Sequence, residues 1–213
     1  MLSGAMNAAL LVTGGDAPDF AVIRPRLGEF SFICAADSGL DTLHAWGLRA
    51  DLVVGDFDSL KDASILGEYP EALRHPEDKD DTDTELALEE LRSRGFKRIV
   101  MAGGGGGRID HLFALRALFE REDGPDEWLT PAERIVRIRE ETAFPSSAGA
   151  LVSVFPLAGG AQGMRSRGLR WPLEGLRWNA GQFGISNVAE GQEIAIDPGK
   201  NPLLVVLAHD RTR

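Results

Sequence analysis

Between residues 8 and 122, short apolar runs of β character alternate with helix-like runs, and this alternation narrows the fold more than any other feature of the chain. "AALLVTGG" precedes a helix-like stretch near residues 18–28, "SFICAADSG" precedes "LDTLHAWGL", and "ADLVVGDFDS" precedes "KDASILGEY". "EALRHPEDKDD" then leads to "TDTELALEELRSRG", and "FKRIVMAGGGGG" leads to "RIDHLFALRALFERE". Strands and helices taken in turn build an α/β unit around a mainly parallel sheet. In such sheets ligands collect where the carboxyl ends of strands meet the starts of helices. The distinctive polar residues stand at those ends: Asp37 with Ser38, Asp56 with Asp58, the acidic stretch 78–83, and a glycine run followed by Arg108 and Asp110.

After "EDGPDE" the pattern changes to short β-like runs, among them "RIVRIREE", "ALVSVFPL", "EIAIDP" and "PLLVVLAH", separated by Gly, Pro and Asn turns. Two domains are therefore expected, an α/β domain over 1–124 and an all-β domain over 125–213, a sandwich or partial barrel by its spacing. A formal charge of -10 argues against a protein that binds nucleic acid through a broad basic surface. A small anionic ligand would need locally placed positive charge or a metal ion to overcome that field. No stretch approaches the roughly 20 apolar residues of a membrane helix, and the first residues lack a basic leader, so a cytoplasmic location without membrane contact is expected. The one cysteine, Cys34, cannot form an internal disulfide and sits in an apolar run, which suits a buried thiol. One Cys and four His also give no zinc-site spacing.

Three constellations carry chemistry. If "LVVGDFDS" runs on as a strand, Asp56 and Asp58 share a face about 6–7 Å apart. Two carboxylates held so close repel unless a cation or strong donors lie between them, and magnesium suits such a pair because it adds waters and phosphate oxygens to one or two carboxylates. The competing reading is a solvated loop in which Asp58 or Ser59 caps the next helix. In "KDDTDTEL", Thr82 and Glu85 fit a capping box, and the helix start accounts for Asp83 without catalysis. It leaves Asp78, Asp80 and Asp81 unexplained, so the crowd reads either as a further source of metal ligands, with Lys79 as compensation or phosphate contact, or as a solvated acidic turn. Five glycines at 103–107 allow a phosphate close to the backbone and the next helix start, with Arg108 as a forked cation and His111 as an orienting or packing residue. The run is neither a Walker A loop nor a dinucleotide fingerprint. In the second domain, "GLRWPLEGLRWNAGQFGISN" offers Trp171, Trp178, Ser186 and Asn187, which could hold a flat heterocycle or belong to the core.

Together these pieces resemble thiamin pyrophosphokinases: "AADSG" at 35–39, "DLVVGDFDS" at 51–59, "KDDTDTELAL" at 79–88, "GGGGGRIDH" at 103–111 and, more loosely, "GLRWPL" with "ISN". The resemblance implies an α/β domain that binds Mg-ATP, a C-terminal β-sandwich, and a homodimer holding thiamin between the catalytic domain of one subunit and the β domain of the other. It implies transfer of a pyrophosphoryl group from ATP to the thiamin hydroxyl, with release of AMP. By position, Asp56, Asp58 and Asp83 are the implied metal ligands, and these three with Arg108 and Asp110 the implied catalytic set. The nucleotide side takes in Asp37, Ser38, Lys79, Asp80, Thr82, Gly106, Gly107, Arg108 and His111, and the thiamin side Trp171, Ser186 and Asn187. Ser38 stands where the family usually has glycine, and Gly184 where some members have serine. A pyrophosphokinase for another heterocyclic alcohol, such as a pterin, and a non-catalytic nucleotide or thiamin sensor are the alternatives.

Overall fold

The run AALLV is buried at every position and forms β1 (Ala8–Val12). A strand without an exposed face belongs in the middle of a parallel sheet covered on both sides. Around it the chain builds α1 (Phe20–Ile23), β2 (Phe32–Ala36), α2 (Gly39–Ala45), β3 (Leu52–Gly55), β4 (Ala72–Arg74), α3 (Asp83–Ser93), β5 (Arg98–Ala102), α4 (Ile109–Leu118) and β6 (Glu127–Leu129). The computed structural model describes residues 7–58, 63–69, 71–76, 80–157 and 159–209.

The pairings between these strands are all parallel. β1 lies between β2 and β5, with β3 and β4 continuing on one side and β6 on the other. The chain thus moves outward from β1 to β4, then crosses back to start again at β5 on the far side of β1. That reversal creates a switch point between β1 and β5, the place in such sheets where a ligand crevice forms at the strand carboxyl ends.

Local chemistry explains most helix boundaries. α3 starts with a complete capping box: the Thr82 hydroxyl accepts the Glu85 N–H, and the Glu85 carboxylate accepts the Thr82 N–H at 2.9 Å. The helix expected near 18–28 is one α turn followed by a 3-10 stretch at Arg24–Glu29. Pro25 has no N–H with which to extend the α pattern. Of the run "KDASILGEY", the described residues hold a 3-10 stretch, Ala63–Glu68.

At the amino ends of β5 and β6, away from the crevice, Glu127 is 2% exposed and accepts from Arg26 at 2.5 Å and from Arg98 at 3.1 Å. Arg26 and Arg98 also share Glu29. The hydrogen bond from Arg26 holds the Glu29 carboxyl below the usual carboxylate range, against a smaller opposing effect of burial. A carboxyl depressed in the folded state adds stability above its unfolded pKa, so this part is lost as pH falls through the folded value.

The division between units falls after Pro131, later than the expected boundary at 124. "EDGPDE" is a turn into one more strand of the same sheet: β6 pairs with β5, and the Trp128 indole N–H donates to the Gly103 carbonyl at 2.7 Å. Three residues are too few to announce a strand by periodicity.

The second unit is all-β, with β7 (Glu133–Ile138), β8 (Thr142–Pro145), β9 (Leu151–Pro156), β10 (Gly160–Gln162), β11 (Arg165–Arg167), β12 (Arg177–Asn179), β13 (Gly184–Val188), β14 (Glu193–Asp197) and β15 (Leu203–Ala208). β7, β15, β9 and β13 form one antiparallel sheet, β8, β14 and β11 a second, and β10 pairs with β12. Val152, Val154, Leu203 and Val205 of the first sheet share a core with Phe144, Ile194 and Ile196 of the second. Two sheets with one apolar core between them make a sandwich rather than a barrel. Among the described residues, no helix is long and apolar enough to cross a membrane.

Truncating Glu127 leaves two arginines facing a buried gap without their counter-charge. Glu127→Ala is expected to destabilise the protein by about 3 kcal/mol, read as a lower denaturant midpoint at an unchanged slope.

Candidate active site

The crevice takes its shape from backbone pairing between the two loops that leave the switch point. After β1 the chain reads Thr13-Gly14-Gly15-Asp16, and after β5 it enters the glycine run. Asp16 N–H donates to the Gly105 carbonyl at 2.8 Å, Gly105 N–H donates to Asp16 O at 2.9 Å, and Gly104 N–H donates to Gly14 O at 2.8 Å. This approach depends on missing side chains. A Cβ on Gly103, whose φ is +102°, would lie 2.3 Å from the Thr13 carbonyl oxygen. A Cβ on Gly14 would lie 2.4 Å from the Ser38 Oγ, so serine fits at position 38 because glycine stands opposite it.

Acidic groups come from the next two strands. Asp37 follows β2 in the left-handed region at φ +46°, and β3 ends at Gly55, before Asp56. Asp56 and Asp58 are therefore not strand neighbours on one face. They meet through a turn in which Asp58 N–H donates to Asp56 Oδ1 at 3.1 Å, while Phe57 between them takes φ +68° and buries its ring beneath Arg74. A bulky residue in that region costs about 1–3 kcal/mol, which burial of the ring offsets. Asp37, Asp56 and Asp58 each offer a carboxylate oxygen within 4.8 Å of the others. Asp83, also expected as a ligand, is not one of that trio; it stands in the first turn of α3 and lines the cavity walled by α3 and α4.

α3 and α4 supply the remaining walls. The Thr13 and Thr84 hydroxyls are buried and 2.6 Å apart, tying the β1 loop to the first turn of α3. The cavity so enclosed measures about 630 Å³ and is lined by Thr13–Asp16, Asp37, Ser38, Thr82–Glu85, Gly104–Arg108 and one side of α4. Burial raises the affinity of the Glu85 carboxyl for its proton, but hydrogen bonds from Thr82 and the Arg121 guanidinium outweigh it and hold the group below the usual carboxylate range. Arg108 precedes α4, is 74% exposed, and pairs with Asp110 at 2.5 Å. The hydrogen bond from Arg108 lowers the Asp110 pKa.

Of the residues expected from the sequence, Asp37, Ser38, Thr82, Asp83, Gly106, Gly107, Arg108 and His111 line this cavity. Asp56 and Asp58 adjoin it through Asp37, and Asp110 is tied to Arg108. Asp80 is exposed in the turn before α3, and Lys79 lies outside the described residues. Thr13, Gly14, Gly15, Asp16 and Arg121 were not expected. The first four end the central strand in "TGGD", a signal that the rule of strand carboxyl ends could have found. Cys34 is buried, and burial pushes its thiol pKa up, which fits a core role.

In the second unit, Ser186 takes φ +58°, and its N–H donates to the Ser153 hydroxyl at 3.1 Å. Asn187 is buried: its carboxamide donates to the Trp171 carbonyl at 2.7 Å and accepts the Trp171 N–H at 3.2 Å. It thus fixes the backbone that carries the Trp171 ring. Trp171 is 56% exposed, with the Arg170 guanidinium 5.7 Å from its ring centroid. Trp178 instead packs against the core, and a Cβ on Gly184 would press on its indole at 3.2 Å.

Two glycines test the loop geometry. Gly103→Ala should cost about 2 kcal/mol or more and weaken ligand binding at the crevice, whereas Gly28→Ala, with open space around it, should stay within about 0.5 kcal/mol. Thermal denaturation of the two variants checks this.

The chain matches two family models in order, "Thiamin pyrophosphokinase, catalytic domain" over residues 25–123 and "Thiamin pyrophosphokinase, vitamin B1 binding domain" over 134–200. A comparison with curated proteins returns no match. Among solved structures, a thiamine pyrophosphokinase from Bacillus subtilis aligns with TM-score 0.80 at 21% identity, covering 95% of this chain and 99% of that one. A thiamin pyrophosphokinase family protein from Enterococcus faecalis aligns with TM-score 0.78 at 23% identity, covering 96% and 100%. The yeast thiamin pyrophosphokinase aligns with TM-score 0.68 at 15% identity, covering 97% and 87%. At these identities the structures speak for the fold; with both of the family's domain models matched in sequence order, the chain belongs to the thiamin pyrophosphokinase family.

Proposed function

We propose that the chain transfers the pyrophosphoryl group of Mg-ATP to the hydroxyl of thiamin, giving thiamin diphosphate and AMP. The observation that carries this reading is the meeting of Asp37, Asp56 and Asp58 beside a cavity walled by the glycine run and Arg108. In a protein of net charge -10, polyphosphate needs that local arrangement to overcome general repulsion.

The trio fits magnesium, a hard cation that binds oxygen and takes few protein carboxylates. Asp37, Asp56 and Asp58 would hold the ion, with Asp83 facing the same cavity, and the bound ion would offset phosphate charge. The backbone amides of Gly106 and Gly107 and the Arg108 guanidinium bind phosphate oxygens, and Asp110 sets the direction of that guanidinium. Thiamin's hydroxyl oxygen bonds to the β-phosphorus while the bond to the α–β bridging oxygen breaks, and the electron pair leaves with AMP. The hydroxyl proton passes to an aspartate of the site. Most of the acceleration comes from in-line positioning and charge stabilisation.

Trp171 and Ser186 contact thiamin in this reading, and Asn187 acts through the Trp171 backbone that it holds. The active form is a homodimer. Ile109 and Phe113 on α4, and Trp171, Phe183 and Ile185 in the β unit, are each more than half exposed, as apolar surface covered by a second copy would be. The enzyme works in the cytoplasm, where a lone buried thiol stays reduced.

Purified protein given Mg-ATP and thiamin should form AMP and thiamin diphosphate in equal amounts; formation of neither defeats the proposal. Asp56→Asn should lower kcat by about 100-fold or more with an unchanged circular dichroism spectrum, and near-normal turnover would remove the metal role. Arg108→Ala should lower kcat/KM for ATP by about 100-fold. Light scattering should give twice the chain mass, and a monomer at every concentration overturns the dimer.

A further inference from the structure

The cavity continues well past the phosphate-binding end. His111, Ala114, Leu115, Leu118 and Arg121 line it at helical spacing, so its wall follows one side of α4 away from Arg108. Ten helical residues span about 15 Å. Along that length the lining changes character: beyond His111 it consists of Ala114, Leu115, Ala117 and Leu118, and it ends at Arg121 paired with Glu85.

That far end is unsuited to phosphate. The Arg121 charge is already matched by Glu85, whose carboxylate is ionised and held by both the Thr82 N–H and hydroxyl. A second anion there would face Glu85 directly. A neutral flat ring fits better, with apolar side chains along its face and a donor beside an acceptor at its edge. Adenine presents N7 as an acceptor next to the N6 amino donor, whereas guanine presents acceptors at both N7 and O6.

We propose that the slot along α4 holds the nucleobase, with Arg121 donating to N7 and Glu85 accepting from the N6 amino group, so that this pair selects adenine over guanine nucleotides. The inference rests on the reading of the chain as an ATP-dependent pyrophosphokinase. Neither residue touches the transferred phosphoryl group. Their contribution therefore falls on nucleotide binding rather than on the chemical step.

Binding of Mg-ATP, Mg-GTP and magnesium tripolyphosphate, measured by calorimetry on the full chain, separates the possibilities. Tripolyphosphate carries the phosphates without a base. Arg121→Leu should weaken ATP by about tenfold and leave tripolyphosphate unchanged, while Arg108→Ala should weaken both. Glu85→Gln keeps a side chain able to complete the capping box, so it should fold normally while the preference for ATP over GTP falls by about tenfold. Equal losses for ATP and tripolyphosphate in Arg121→Leu, or an unaltered ATP-to-GTP ratio in Glu85→Gln, would overturn the base slot. Wild-type protein that binds ATP but releases no AMP when thiamin is supplied sinks the kinase reading alone, and the variants still decide the slot. Wild-type protein that fails to bind ATP removes both.

Discussion

Everything at the site depends on how closely two backbones can approach at the switch between β1 and β5. The Asp16–Gly105 pairing and the bond from Gly104 to Gly14 join the loops that leave these neighbouring strands. Glycine at these positions removes the side chains that would force the loops apart. The joined loops then form a floor, α3 is fastened to it through the Thr13–Thr84 hydroxyl pair, and α4 starts where the glycine run ends.

Charge is distributed around that floor with a clear division. The carboxylates come from strand ends that precede α2 and follow β3, whereas the cationic Arg108 comes from the loop after β5. Asp37, Asp56 and Asp58 lie far from Arg108 along the chain, so only the folded sheet brings the trio beside the cavity that Arg108 lines. The far side of the same unit uses charge differently. Glu127, Arg26, Arg98 and Glu29 neutralise one another at the strand starts, in a network whose removal acts on stability rather than chemistry.

The two units also use strained backbone in different ways. Asp37 and Phe57 take left-handed conformations where the acidic groups gather, and Ser186 does so beside Asn187 in the sandwich. At Phe57 burial of the ring pins the turn, and beside Ser186 the Asn187 carboxamide holds the Trp171 loop. In both places a buried side chain fixes the conformation of its neighbours. The Asn187 carboxamide does this through hydrogen bonds to backbone.

Residue types and order alone determined the class of the first unit, the capping of α3, the all-β nature of the second unit, and the junctions where polar residues collect. Those properties are local: periodicity, a Thr-x-x-Glu box and glycine before a helix act over a few residues. What tertiary structure decided was which groups meet. Asp56 and Asp58 come together through a turn at Phe57 and not along a strand, and Asp37 joins them from the end of β2. Thr13–Asp16 and Arg121 join the wall, and β6 belongs with the parallel sheet. Each of these depends on contacts across strand crossovers, where the distance between two side chains is set by sheet order and helix packing and leaves no trace in their spacing along the chain.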